Sequence, residues 1–112
     1  MEIIITPRGG GKTSELLRLA AGKRGYIVCR THAFACQLQK AATEMCLEIN
    51  LPISYDHFLN GRFVGQGIKE FFVDDVDALL EQAAGAAKVS AITLSVPCER
   101  HGLRFFDQRF GR

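Results

Sequence analysis

The stretch Ile3-Ile4-Ile5-Thr6-Pro7-Arg8-Gly9-Gly10-Gly11-Lys12-Thr13-Ser14 decides how this chain is read. Three β-branched residues give a strand pattern and run straight into three consecutive glycines. Glu15-Leu16-Leu17-Arg18-Leu19-Ala20 follows with the apolar spacing of a helix. Strand, glycine-rich turn and helix in this order build a phosphate-binding loop. Glycine lets successive backbone N–H groups turn inward around an anion, and the helix N-terminus aims the positive end of its dipole at the same point. The pattern G-x-x-x-x-G-K-[ST], laid over positions 6–13, finds Thr6 where the first glycine belongs. Pro7, Arg8, Gly9, Gly10, Gly11, Lys12, Thr13 and Ser14 are thus the expected nucleotide-binding residues. Within them Lys12 is expected to reach the β- and γ-phosphates and the Thr13 hydroxyl to ligate Mg²⁺.

The acidic partner for such a metal lies in Phe71-Phe72-Val73-Asp74. Three apolar residues ending in aspartate describe a strand that delivers a carboxylate to the carboxyl edge of a parallel sheet, where open α/β sheets bind their ligands. Asp74 is expected to bind Mg²⁺ through water, because that ion keeps much of its hydration. Asp75 stands where many ATPases carry a glutamate that positions the attacking water. Aspartate is shorter by roughly 1.5 Å, and a misplacement near 1 Å costs about 10²-fold in rate. Two readings of Asp75 stay open: a poor water-positioning base, or a solvated carboxylate favoured by the start of a helix.

At 112 residues the chain has room for one modest core, and its 47% hydrophobic content excludes a disordered protein. Fourteen Lys and Arg against 12 Asp and Glu leave a net charge of +2, too small to argue nucleic-acid binding by itself. The apolar runs fall far short of a membrane span, and no charged-then-apolar signal region opens the chain, so a cytoplasmic protein with no membrane partner is expected. Cys29, Cys36, Cys46 and Cys98 form no C-x-x-C pair and are expected to be free thiols. Cys29, His32 and Cys36 have superficially ligand-like spacing, but no fourth ligand is evident for zinc.

Taken in order, the first helix is expected over 12–21, stopped by Gly22-Lys23-Arg24-Gly25. Tyr26-Ile27-Val28-Cys29 is a strand apolar on both faces, followed by Thr31 as N-cap and a helix over 32–48. Leu51-Pro52-Ile53 ends that helix as a short extended piece, Ser54 caps one helical turn through Leu59, and Gly61, Gly65 and Gly67 mark a flexible connection. The Phe71 strand leads into a helix over 76–87, broken late by Gly85, and Ala91-Ile92-Thr93-Leu94-Ser95 reads as a fourth strand. Leu103 to Phe106 is a candidate edge strand within an Arg- and Phe-rich segment, 98–112, that follows a core of residues 1–97. The alternation gives an α/β fold with a small, mostly parallel sheet.

With these pieces placed, the chain resembles the P-loop NTPase superfamily, specifically the first RecA-like half of a superfamily 1 or 2 helicase. Thr6 to Thr13 is similar to the helicase Walker A loop, Cys29-Arg30-Thr31-His32-Ala33 to motif Ia, Ser54 to Leu59 to the motif after it, and Val73-Asp74-Asp75 to motif II. Ile92-Thr93-Leu94-Ser95 falls where motif III couples nucleotide to strand binding, which implies that Ser95 senses the γ-phosphate. The compact layout also resembles very small P-loop proteins encoded by bacteriophages. The resemblance implies a three-layer α/β/α fold with strand order 2-3-4-1, the Ala91–Ser95 strand lying between the Phe71 and Ile3 strands. A helicase needs a second RecA-like domain and an arginine finger, and 112 residues leave no room for that domain.

The leading expectation is a Mg-nucleotide-binding protein, for ATP ahead of GTP, with slow or partner-dependent hydrolysis. Lys12, Asp75 and Ser95 are its catalytic candidates, and Thr13 and Asp74 its metal ligands. The alternative is a nucleotide-switched module that binds single-stranded DNA or a replication partner, with Arg8, Arg30, His32, Arg62 and the C-terminal arginines as contacts. A small kinase, with residues 61–67 as its lid, is the third option. Head-to-tail self-assembly would let an arginine among Arg100, Arg104, Arg109 and Arg112 act in trans.

Overall fold

A computed structural model describes residues 3–5, 11–61, 63, 65–85, 87–95 and 103–105. It shows a small α/β protein that divides into two compact units, Leu16–Val89 and, separately, Met1–Glu15 with Ser90–Arg112.

The larger unit is built on a three-stranded, wholly parallel sheet. Strand β2 (Tyr26–Cys29) lies at its centre, between β3 (Ile53–Ser54) and β4 (Phe71–Val73). Register is set by Val28 opposite Ile53 and, on the other side, by Tyr26, Ile27 and Val28 opposite Phe71, Phe72 and Val73. As a central strand β2 is covered on both faces, which is why four apolar residues in succession suit it. Its side chains alternate: Ile27 and Cys29 join Leu17 and Ala20 of α1 (Lys12–Ala20) and Ala35, Leu38 and Ala42 of α2 (His32–Glu44). Val28 packs to the other side, with Ile53, Tyr55 of α3 (Tyr55–Leu59) and Leu79 of α4 (Val76–Ala83). Phe58, Phe63 and Phe71 extend this second cluster, the Phe63 and Phe71 rings meeting edge to face at 4.8 Å between centroids.

The helix starts follow the capping residues. Thr31 Oγ1 accepts from the N–H of Phe34 at 3.1 Å, and Ser54 Oγ accepts from the N–H of His57 at 3.2 Å. Helix α2 stops four residues before the expected end. Met45 caps it, Cys46 takes the left-handed conformation (φ 60°), and the N–H groups of Cys46 and Leu47 return to the carbonyls of Thr43 and Ala42. That is a Schellman closure with cysteine in the place glycine usually holds. Helix α4 likewise ends at Ala83 rather than at 87, before Gly85 at φ 71°.

The smaller unit holds a two-stranded parallel ladder, β1 (Ile3–Ile5) against β5 (Leu103–Phe105), with Ile3 opposite Leu103. The candidate edge strand thus forms, and it pairs with the first strand. The expected fourth strand does not: residues 91–95 carry no strand structure and are exposed throughout, with Ile92 at 51% and Leu94 at 54%. Their alternating pattern suits a strand, but alternation specifies a strand only where a ladder partner takes it up. The described backbone partner of β1 is β5. Of the order 2-3-4-1 the structure therefore has the neighbouring Tyr26–Cys29 and Phe71–Val73 strands but not the strand expected after them, and Tyr26–Cys29, expected at the sheet edge, is central because Ile53–Ser54 pairs along its other side.

Candidate functional site

At the amino end of α1, Gly11 sits at φ 87°, a conformation that disfavours any residue with a Cβ. Its carbonyl accepts from the N–H of Glu15 at 3.2 Å, so the helix begins directly after this glycine. Lys12, Thr13 and Ser14 form the first turn, all half-buried, and their backbone N–H groups precede the first intrahelical bond. This is the arrangement a helix-capped anion site requires. Pro7, Arg8, Gly9 and Gly10, the other expected loop residues, lie outside the described residues, as does Arg62.

The larger unit collects a second group of residues at the carboxyl ends of its three strands. Cys29, Arg30 and Thr31 follow or end β2, Ser54 and Tyr55 close β3, and Asp74 and Asp75 follow β4. Asp74 is 5% exposed, the one charged residue buried among those described. Its N–H donates to the carbonyl of Val28 at 2.9 Å, which makes it the last rung between β4 and β2. Burying a carboxylate is costly, so chains keep one inside where it is hydrogen-bonded, paired or bound to a cation.

Asp75 takes the left-handed conformation, φ 56° and ψ 66°, at the N-cap of α4, and its side chain makes no capping hydrogen bond there. Its carboxylate faces Arg30 instead, at 3.7 Å. The Arg30 side chain is 60% exposed, so this pair contributes less than about 1 kcal/mol.

Tyr55 is the residue that sequence reasoning missed. It is 1% exposed, and its hydroxyl donates to the carbonyl of Asp74 at 2.6 Å and to that of Asp75 at 3.0 Å. Burial, and then the carboxylates of Asp75 and Asp74, push the Tyr55 phenol well above its ordinary range, so the hydroxyl stays a donor. The same causes act on Cys29, where burial first and Asp74 second push the thiol up to about 11. Cys29 is therefore a protonated, inert thiol, and its Sγ donates to the Thr31 carbonyl at 3.4 Å.

Ser95 is exposed and ends no strand, so the strand-end placement on which its sensor role depended is not present. His32 and Cys36 approach to 3.7 Å on one exposed face of α2, while Cys29 points into the core. Among the described residues no group of three or more His, Cys, Asp or Glu side chains converges as a metal cage. None of the described helices is long and apolar enough to cross a membrane.

Compared with protein-family models, with curated proteins and with solved structures, the chain matches none.

Proposed function

We propose that this chain is a small Mg-nucleotide-binding protein of the P-loop, RecA-like kind, taking ATP ahead of GTP and hydrolysing it slowly or only with a partner. The observation that carries the reading is the start of α1: a glycine at φ 87° followed at once by Lys12, Thr13 and Ser14 as the first helical turn, after a strand at Ile3–Ile5. Strand, glycine and helix stand in the order that a phosphate loop needs. Lys12 and the glycine amides would hold the phosphates, Thr13 would contribute its hydroxyl, and Asp75 would orient water.

The donor chemistry at the carboxyl edge fits Mg²⁺. That ion takes oxygen ligands and is ordinarily held by one or two carboxylates together with substrate phosphates and water, rather than by an all-protein cage. Asp74, buried at a strand end, would supply such a carboxylate. When bound, Mg²⁺ would neutralise charge on the phosphate oxygens. The α/β architecture, with a central strand buried on both faces, supports the three-layer plan of such proteins.

Calorimetric titration with ATP and GTP, each in Mg²⁺ and in EDTA, tests the reading. Mg-dependent binding that Lys12→Ala abolishes supports it, and no binding of either nucleotide overturns it. Turnover with and without single-stranded DNA then separates an autonomous enzyme from a partner-dependent one.

A further inference from the structure

We infer that Tyr55 is a positioning residue for the acidic pair, its hydroxyl holding the Asp74–Asp75 turn so that the Asp74 carboxylate is kept in place for a divalent cation. The inference rests on the Mg-nucleotide reading above and assigns to α3 the task of organising that site.

Three observations carry it. The last rung of the β4–β2 ladder is the bond from the Asp74 N–H to Val28, so the backbone leaves the sheet at this residue. At the next residue the chain turns through φ 56°, a conformation that residues with a Cβ adopt only where their surroundings impose it. Across this exit lies the Tyr55 hydroxyl, which donates to both carbonyls, at 2.6 and 3.0 Å, from a side chain that is 1% exposed.

A second bond from the same helical turn grips the far side of the corner. Asp56 Oδ1 accepts from Nε2 of Gln82 at 2.7 Å, tying α3 to the last turn of α4 while Tyr55 ties it to the residues before α4. Helix α3 therefore spans the strand-to-helix corner that carries both acids. Glycine would hold a left-handed corner without strain, yet position 75 carries a carboxylate. The hydroxyl of Tyr55 supplies the restraint that makes an acid workable there.

The test measures the Mg²⁺ concentration at half-maximal nucleotide binding, with ATP as the probe, together with the affinity for metal-free ATP in EDTA. Tyr55→Phe keeps the ring and removes only the hydroxyl. It should move the Mg²⁺ midpoint upward by about tenfold while metal-free affinity stays within about twofold, a split that a general loss of structure does not produce. Gln82→Ala removes the exposed bond to Asp56 on the other side of the corner, touches neither acid, and should move the Mg²⁺ midpoint in the same direction with metal-free affinity unchanged.

A folded Tyr55→Phe with an unchanged midpoint overturns the inference, as does a shift matched by an equal loss of metal-free affinity. If Tyr55→Phe does not fold, Gln82→Ala decides: a raised midpoint supports the inference, and an unchanged one overturns it. A wild-type protein whose nucleotide binding ignores Mg²⁺ would instead remove the reading beneath the inference, a result visible before any Tyr55 variant is made.

Discussion

Gly25 lies directly against the backbone of Glu70: a Cβ at position 25 would stand 2.6 Å from the Glu70 carbonyl oxygen and 2.7 Å from Cε2 of Phe72. This is the point where β2 and β4 begin to pair, with the Tyr26 N–H donating to the same carbonyl at 3.1 Å. Phenylalanine can swing aside, but a backbone carbonyl in the ladder cannot without breaking the first rung.

Gly25→Ala should therefore cost about 1–3 kcal/mol, the range for overpacking a close contact. Gly22→Ala is the contrasting variant. Gly22 has open space around its Cβ position but sits at φ 72°, so alanine there should cost about 1 kcal/mol through backbone strain alone. Urea unfolding of both variants checks the order, and a Gly25→Ala protein as stable as wild type would contradict the close approach.

At the end of α2 a side chain occupies a position whose backbone favours glycine. Cys46 is exposed at φ 60°, where glycine sits without strain. Cys46→Gly should raise stability by about 1 kcal/mol, read as a higher urea midpoint with unchanged slope.

That same helix end shows where the sequence was readable and where it was not. Thr31 and Ser54 announced their helices because a capping hydroxyl acts within three residues of itself. The apolar run Tyr26–Cys29 announced a strand covered on both faces, since such burial leaves no alternation to find, but its central place was not foreseen, because the expected order set it at the sheet edge. The stop at Glu44 was invisible, since the closure uses a cysteine where a glycine would have signalled it. Residues 91–95 misled because their alternation is a property of the segment, whereas a ladder is a property of two segments. The position of Asp74 at a strand end could be read from the sequence, but the bond from Tyr55 joins residues far apart in sequence and leaves no local trace.

Alkaline pH should destabilise the protein through Cys29. Below about pH 9 the thiol is protonated in both folded and unfolded chains, and its stabilising contribution is fully present. Between the ordinary value of 9.0 and about 11, the unfolded thiol ionises while the buried one holds its proton, so stability falls. The loss through this window should be about 2–3 kcal/mol, since each tenfold difference in proton affinity is worth about 1.4 kcal/mol. Comparing urea midpoints at pH 8 and pH 10.5 for wild type and Cys29→Ala isolates the effect: the variant should lose less.

Lys12→Ala should lower Mg·ATP affinity by about 10- to 100-fold or more, the worth of hydrogen bonds to charged groups, with the far-UV circular dichroism unchanged. Lys12 is the first residue of α1 and belongs to neither apolar cluster, so the core does not depend on it. Undiminished calorimetric binding by the variant would remove the phosphate-loop reading.

Hydrolysis by the isolated chain should be slow, because a trans arginine can be worth about 10³–10⁵ in rate and Asp75 stands where a longer carboxylate would serve. Deleting residues 98–112 would be a poor test of self-activation, since it removes β5, the strand paired with β1. Replacing Arg100, Arg109 and Arg112 together by alanine is the cleaner variant. Turnover per site that rises with protein concentration, and loses that rise in the triple variant, is the expected result.

The pairing of β1 with β5 also sets a schedule for assembly. Ile3 meets Leu103, so everything from Ile3 through Leu103 must be synthesised before β1 has its partner. Closing that loop costs about 1 kcal/mol more than closing the one between Val28 and Ile53, since the cost grows with the logarithm of length. At about 5–20 residues per second on the ribosome, β1 waits several seconds while the contacts within Leu16–Val89 become available first. Completion of β1 is thus tied to residues far downstream of the sheet built within Leu16–Val89, and the two ladders form on different schedules.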